Sequence, residues 1–170
     1  MKNQTAIIVS DGSVKNKTGT SCFVITTEQE EFQVIGLNRI PGYSQDSHRA
    51  ELGGVIGALT WLNQFLIDQK LTDINITLGL DGESAVKSIQ KPFLPETASD
   101  YDILWLIQQA LKSLREKSTT ITIRWIKGHQ TKFKSITELD IWGRLNELAD
   151  SLAKNIGHTW KRNNTTTTSV

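Results

Sequence analysis

Four carboxylic acids and one imidazole stand out in this chain: Asp11, Glu51, Asp81 and Asp150, with His129. Taken singly, each has an ordinary explanation. Asp11-Gly12 and Asp81-Gly82 read as turn dipeptides. Glu51, in the first turn of a helix, complements the helix dipole. Asp150 reads as solvated helix surface and His129 as a loop residue. Gathered in one place they would do chemistry. Carboxylates a few ångströms apart repel, and at least one must titrate upward unless a cation intervenes. An all-oxygen donor set selects hard divalent ions such as Mg²⁺ or Mn²⁺ over zinc. Two such ions roughly 3.5–4 Å apart can clamp the attacking and leaving oxygens of an in-line phosphoryl displacement.

Such gathering depends on the elements that carry these residues. Residues 4–10 form a short apolar run that ends at Asp11-Gly12, a strand followed by a turn. Residues 20–27 and 31–37 are rich in β-branched and aromatic types and extend the run to three antiparallel strands. Leu52, Val55, Ile56, Leu59, Leu62 and Leu66 then recur at helical spacing over 47–67, capped by Asp46 or Ser47. Gly53, Gly54 and Gly57 each cost that helix about 1 kcal/mol against Ala, which close packing on a sheet would explain. Alternation over 73–80 gives a fourth strand ending at Asp81, and 119–126 a fifth ending before Lys127-Gly128-His129. Between them lie a short helix at 83–89 and a longer one opened by a capping box at Ser99-Asp100-Tyr101-Asp102. The last helix covers 141–156.

The order β-β-β-α-β-α-α-β-α, with right-handed parallel crossovers, predicts a five-stranded mixed α/β sheet of order 3-2-1-4-5. Its switch point lies between the first and fourth strands, where open sheets bind ligands at the carboxyl ends. Asp11 and Asp81 end those two strands. Glu51, His129 and the polar face of the last helix bearing Asp150 fall at the same edge.

The 170 residues suggest one domain, 1–160, followed by a disordered polar tail, 161–170. Hydrophobic residues at 38% and charged residues at 22% are ordinary globular proportions. There is no apolar run long enough for a membrane span, and Met1 to Gln4 lead straight into a strand, which leaves no room for a signal peptide. Cys22 is the only cysteine, so an internal disulfide and a multi-cysteine zinc site are excluded, and a reducing, intracellular compartment fits. The net charge of +1 argues neither for nor against a nucleic-acid partner.

Ser10-Asp11-Gly12-Ser13, Arg49-Ala50-Glu51-Leu52, Leu80-Asp81-Gly82-Glu83, Lys127-Gly128-His129 and Asn146-Glu147-Leu148-Ala149-Asp150, in that order, resemble the type 1 ribonuclease H family. The flavour is that of the domain attached to retroelement reverse transcriptases. The resemblance runs from about Ala6 to Ile156. It implies a ribonuclease H-like fold and cleavage of the RNA strand of RNA/DNA hybrids, leaving 5′-phosphate and 3′-hydroxyl ends. It implies two Mg²⁺ or Mn²⁺ ions on Asp11, Glu51, Asp81 and Asp150, with His129 helping proton transfer or product release. Ser13, Ser47, Arg49 and Asn146 are the matching candidates for contact with RNA 2′-hydroxyls. The chain departs from the family after Asp11-Gly12-Ser13, where Val14 to Gly19 replaces a glycine-rich stretch, at Gly82, and in the long segment from Gln130 to Leu145. That segment adds Lys132 and Lys134 beside Phe133, a candidate phosphate and stacking contact. No lysine-rich protrusion is present, so a fused or associated reverse transcriptase is an expected partner of an otherwise monomeric domain. The rival readings are a transposase- or integrase-like nuclease on the same fold and a non-catalytic connection module. The Gly128-His129 signature opposes the first, and the full set of acids opposes the second.

Overall fold

The computed structural model describes residues 5–42 and 45–164, with side chains described as far as residue 156. Strands β1 (Thr5–Lys15) and β2 (Thr18–Thr27) form a hairpin turned by Asn16 and Lys17, both in the left-handed region at φ 50° and 61°. β3 (Gln33–Arg39) adds antiparallel to β2. Helix α1 (Ser47–Asp68) crosses to β4 (Asn75–Leu80), which pairs parallel with β1. Helices α2 (Glu83–Gln90) and α3 (Tyr101–Arg115) lead to β5 (Thr120–Trp125), parallel to β4, and α4 (Ile141–Asn164) closes the fold. The sheet order is β3-β2-β1-β4-β5, as the sequence predicts.

The two-residue period of β1 divides the core. Ala6 and Ile8 join the larger cluster beneath α1 and α3, whereas Ile7 and Val9 join a smaller one beneath α4. Each fully buried Leu or Ile contributes about 1.5–3 kcal/mol by leaving water. The glycines of α1 let it lie close on the sheet: a Cβ on Gly54 would crowd Ser10 and the Cys22 carbonyl, and one on Gly57 would strike Asn38 and Phe23. On the opposite side, Thr20 Oγ1 donates to the Ala153 carbonyl at 2.7 Å and ties α4 to β2.

Several local expectations are corrected. Asp11-Gly12 is not a turn. β1 continues to Lys15, and Gly12 stands there because a side chain would overlap the main chain of Ala50 and Glu51 in α1. Glu51 lies beyond the first turn of α1, which holds no acid, and the cap is Asp46, whose carboxylate accepts from the Arg49 amide at 2.8 Å. Residues 99–102 make no capping box. Asp100 is itself left-handed at φ 58° and its carboxylate is drawn to Arg49 instead. A capping box does form between Ser135 and Glu138. The segment from Gln130 to Leu145 is not one long loop: 3₁₀ turns at Gln130–Lys132 and Ile136–Glu138 precede α4, which begins at Ile141. α4 also runs past the expected boundary, to Asn164, because each added residue gains a helical hydrogen bond once the helix is nucleated. The expected tail therefore begins as helix at 161–164, and the rest of it lies outside the described residues. No helix among the described residues is long and apolar enough to cross a membrane.

Candidate active site

The register of the sheet sets two of the acids side by side. β1 and β4 pair with a constant offset, Thr5 with Asn75 through Val9 with Gly79, and continuing it places Asp11 opposite Asp81. Asp11 is buried in β1, and Asp81 is half-buried just past the end of β4. Glu51 comes in from α1, and carboxylate oxygens of Asp11, Glu51 and Asp81 lie within 4.8 Å of one another. Two further glycines make room: a Cβ on Gly82 would overlap the Glu51 carboxylate, and one on Gly128 would overlap that of Asp81.

The motif Asn146 to Asp150 divides its labour along α4. Asn146, 1% exposed, donates from Nδ2 to Asp81 Oδ2 at 3.2 Å, while its own Oδ1 is buried without a partner. Glu147 accepts from Thr131 Oγ1 at 2.9 Å and anchors the loop that follows His129. Leu145 and Ala149 fill the smaller core. Asp150 accepts from Lys154 Nζ at 2.6 Å, one turn on, and its charge reaches Asp11. Asp150 thus borders the three-carboxylate group and is held by a cation of its own.

The electrostatics follow from this crowding. Burial, then the charges of Asp81 and Asp150, push the Asp11 carboxyl up to about 8, against the pull of the Gly12 amide at 2.7 Å. Burial and the charges of Asp81 and Asp46 push Glu51 up to about 7. Burial, helped by Asp11 across the hairpin, pushes the Cys22 thiol up to about 12, so it is a neutral core group. Glu51 Oε2 is buried and finds no hydrogen-bond donor. A desolvated oxygen without a partner, among acids that resist ionising together, fits a hard divalent cation, and the oxygen-only donor set suits Mg²⁺ or Mn²⁺.

His129 stands on the loop after β5, exposed, with φ 51°, next to the Gly128 that abuts Asp81. Ser13 lies further along β1, half-buried, and Ser47 is exposed at the start of α1. Lys132 and Lys134 are exposed at the first 3₁₀ turn beside Phe133, which is 84% exposed.

Arg49 departs from its expected place as an open donor. Its guanidinium binds Asp102 at 2.7 and 2.9 Å, Asp100 at 2.9 Å and the Pro41 carbonyl at 3.2 Å, and is buried there. It therefore locks the start of α1 to the start of α3. Arg49→Ala strands the Asp100 carboxylate, 7% exposed. The expected loss is about 2–4 kcal/mol of stability, read as a lower urea midpoint at unchanged m-value. A midpoint within experimental error of wild type would show that the lock contributes nothing.

Three groups near the acids were given no role from the sequence. Trp125 donates from its indole to the Asp81 carbonyl at 2.8 Å and so steadies the strand end that presents the acid. Lys154 neutralises Asp150. His48, on α1, pairs through Nδ1 with Ser84 Oγ at 3.3 Å. Lys154 had a signal, its i+4 spacing from Asp150. The other two depend on contacts between elements distant in the chain.

The sequence model of the RNase H family matches residues 3–158. The chain belongs to the RNase H family. It is thereby a ribonuclease H by enzyme class, and the three acids grouped at the β1–β4 edge, Asp11, Glu51 and Asp81, lie in the motifs quoted above for that resemblance. No curated protein matches the sequence at a significant level. Among solved structures, the N-terminal RNase H domain of Rv2228c from Mycobacterium tuberculosis, solved as a fusion with maltose binding protein, superposes with a TM-score of 0.62 at 15% identity, covering 90% of this chain and 93% of that one. RNase H1 from the halophilic archaeon Halobacterium salinarum gives 0.59 at 18%, covering 88% and 95%. The protease-reverse transcriptase of prototype foamy virus gives 0.60 at 19%, covering 89% of this ribonuclease H but 20% of the viral chain. At these identities the likeness is one of fold.

Proposed function

We propose that this ribonuclease H hydrolyses the RNA strand of RNA/DNA hybrids, with divalent cations held by Asp11, Glu51, Asp81 and Asp150. The observation that carries the reading is the convergence of three carboxylates within 4.8 Å around a buried, unpartnered Glu51 oxygen. Mg²⁺ or Mn²⁺ bound there, two ions in the full site, would supply charge to activate a water and to stabilise the leaving oxygen. The water oxygen bonds to phosphorus, the bond from phosphorus to the 3′-oxygen breaks, and that oxygen takes up a proton. The products carry 5′-phosphate and 3′-hydroxyl ends. Asn146 holds Asp81, Trp125 holds the main chain beneath it, and Lys154 balances Asp150 until a cation takes that role. His129 sits on an exposed loop, next in the chain to the Gly128 that abuts Asp81, and is assigned proton transfer or product release. Ser13 and Ser47 are assigned the RNA strand, and Asn146, buried against Asp81, is assigned the positioning of that acid.

A fused or associated reverse transcriptase is the proposed partner. The foamy virus chain supports this, since a domain of this fold makes up about a fifth of a protease-reverse transcriptase there. We place the domain inside the cell, where the lone thiol of Cys22 stays reduced, and take it to act as a monomer. The LC11-RNase H1 structure, with a TM-score of 0.61 at 17% identity, contains an RNA/DNA hybrid and supports that substrate class. The test is a gel assay comparing labelled hybrid, duplex DNA and duplex RNA, with and without Mg²⁺. Cleavage confined to the RNA of the hybrid and dependent on the cation is expected. Cleavage of duplex DNA would favour an integrase-like enzyme, and no cleavage at any Mg²⁺ or Mn²⁺ concentration would favour a binding module.

Lys132 and Lys134 are expected to hold substrate phosphates. The turn that carries them is fixed to α4 by the bond from Thr131 to Glu147, so their charges are presented without a large ordering cost. Each phosphate contact releases counterions and contributes about 0.9 to the salt slope of duplex binding. Changing both lysines to Ala should weaken hybrid binding and flatten the slope by up to about two units, with little change in turnover at saturation. Equal slopes for the variant and wild type would put both side chains in solvent.

A further inference from the structure

We infer that the outer edge of β5 is a docking site for an extended acidic segment of a partner protein, which adds to the sheet as a further strand. β5 is an edge of the sheet. The Thr120 and Ile126 amides bond inward, to the carbonyls of Ile74, just before β4, and of Leu80, at its end. Strand alternation then turns the amides and carbonyls of Ile121, Ile123 and Trp125 outward. Among the described residues one of these groups is met, the Ile123 carbonyl, by Gln90 Nε2 at 3.1 Å. The side chains of Ile121 and Ile123, with Ile89 of α2 and Leu111 of α3, floor a groove of about 400 Å³ that runs beside this edge. Lys91 and Arg115 also line it.

The occupant follows from the chemistry of this groove. No acid lines it, and Lys91 and Arg115 make no ion pair among the described residues. Two unpaired cations call for carboxylates. A floor of branched aliphatic side chains suits Val, Ile or Leu, and it offers no aromatic ring on which a base could stack. Free main-chain groups along a strand edge provide affinity, and pockets for alternate side chains provide selection. The matching ligand is an extended peptide that alternates aliphatic residues with Asp or Glu. None of the groove residues belongs to the acidic cluster, so occupancy is separable from catalysis.

The experiment selects random twelve-residue displayed peptides on the whole chain and measures the enriched ones as synthetic fluorescent peptides by anisotropy. Enrichment of alternating aliphatic and acidic sequences is expected. Binding should fall at least tenfold on the double variant Lys91→Glu, Arg115→Glu. Protection of the Ile121 and Trp125 amides in hydrogen exchange should accompany binding to the wild type. The double variant should retain hybrid cleavage, which shows that it is folded. Failure to enrich acidic peptides, or equal affinity for the double variant, would overturn the inference. So would protection of those amides by RNA/DNA hybrid in place of peptide, which would make the groove a nucleic-acid surface.

Discussion

Asp81→Asn is expected to lower hybrid cleavage by more than about 10³-fold while leaving the fold intact. Loss of an outer hydrogen-bond partner of a metal ligand typically costs 10–100-fold, and loss of the ligand itself should exceed that. The fold should survive because every other contact at this position can persist. Asparagine is nearly isosteric with aspartate, its carbonyl oxygen can accept the Asn146 donor, and the Trp125 bond goes to the main chain. Stability without a cation should hold or rise, by up to about 1–2 kcal/mol, since Asp81 opposes the ionisation of both Asp11 and Glu51. The measurements are single-turnover cleavage and thermal unfolding in EDTA. Activity within tenfold of wild type would remove Asp81 from the site. An unfolded variant would make Asp81 a structural residue.

Divalent cation should stabilise the protein, and more strongly at pH 8 than at pH 6. The sign follows from the two raised carboxyls. Asp11 rises from 3.8 to about 8 and Glu51 from 4.5 to about 7 in the cation-free fold. The native state therefore binds protons more tightly than the unfolded chain. Their stabilising contribution is complete below about pH 4 and is lost as pH climbs through 7 to 8. Without cation, these two groups make the protein less stable at pH 8 than at pH 5. Mg²⁺ or Mn²⁺ takes the place of those protons, and at pH 6 it must displace them first. At a hundredfold excess over Kd the gain is about 2.7 kcal/mol. For a chain of this size that is about 5–10 °C in Tm. Thermal melts at the two pH values, with EDTA or 10 mM MgCl₂, test both parts. A shift that is larger at pH 6, or none at either pH combined with unmoved amide resonances at Asp11 and Asp81, would refute a cation site built on these acids.

The strand order, the helices and the edge at which the acids meet were legible in the sequence. Hydrophobic periodicity is local, and right-handed crossovers leave few ways to join the elements. Asp81 after β4 and Asp150 on the polar side of α4 were readable for that reason. What the sequence could not decide was the purpose of residues whose partners lie far along the chain. Asp11-Gly12 has the composition of a turn, yet it is mid-strand, because α1 packs so closely there that only glycine fits. Arg49 sits in a motif that suggests substrate contact, yet the free fold engages it with Asp100 and Asp102, more than fifty positions away. Asp100 belongs to a stretch that reads as a cap, and that same ion pair draws its carboxylate elsewhere. The raised carboxyls of Asp11 and Glu51 also exist only in the folded chain, since desolvation is a property of the assembled core and not of any segment. Local pattern determined which elements form and which acids share an edge. Packing between distant elements decided which polar groups are spent on holding the fold and which remain open to cation and substrate.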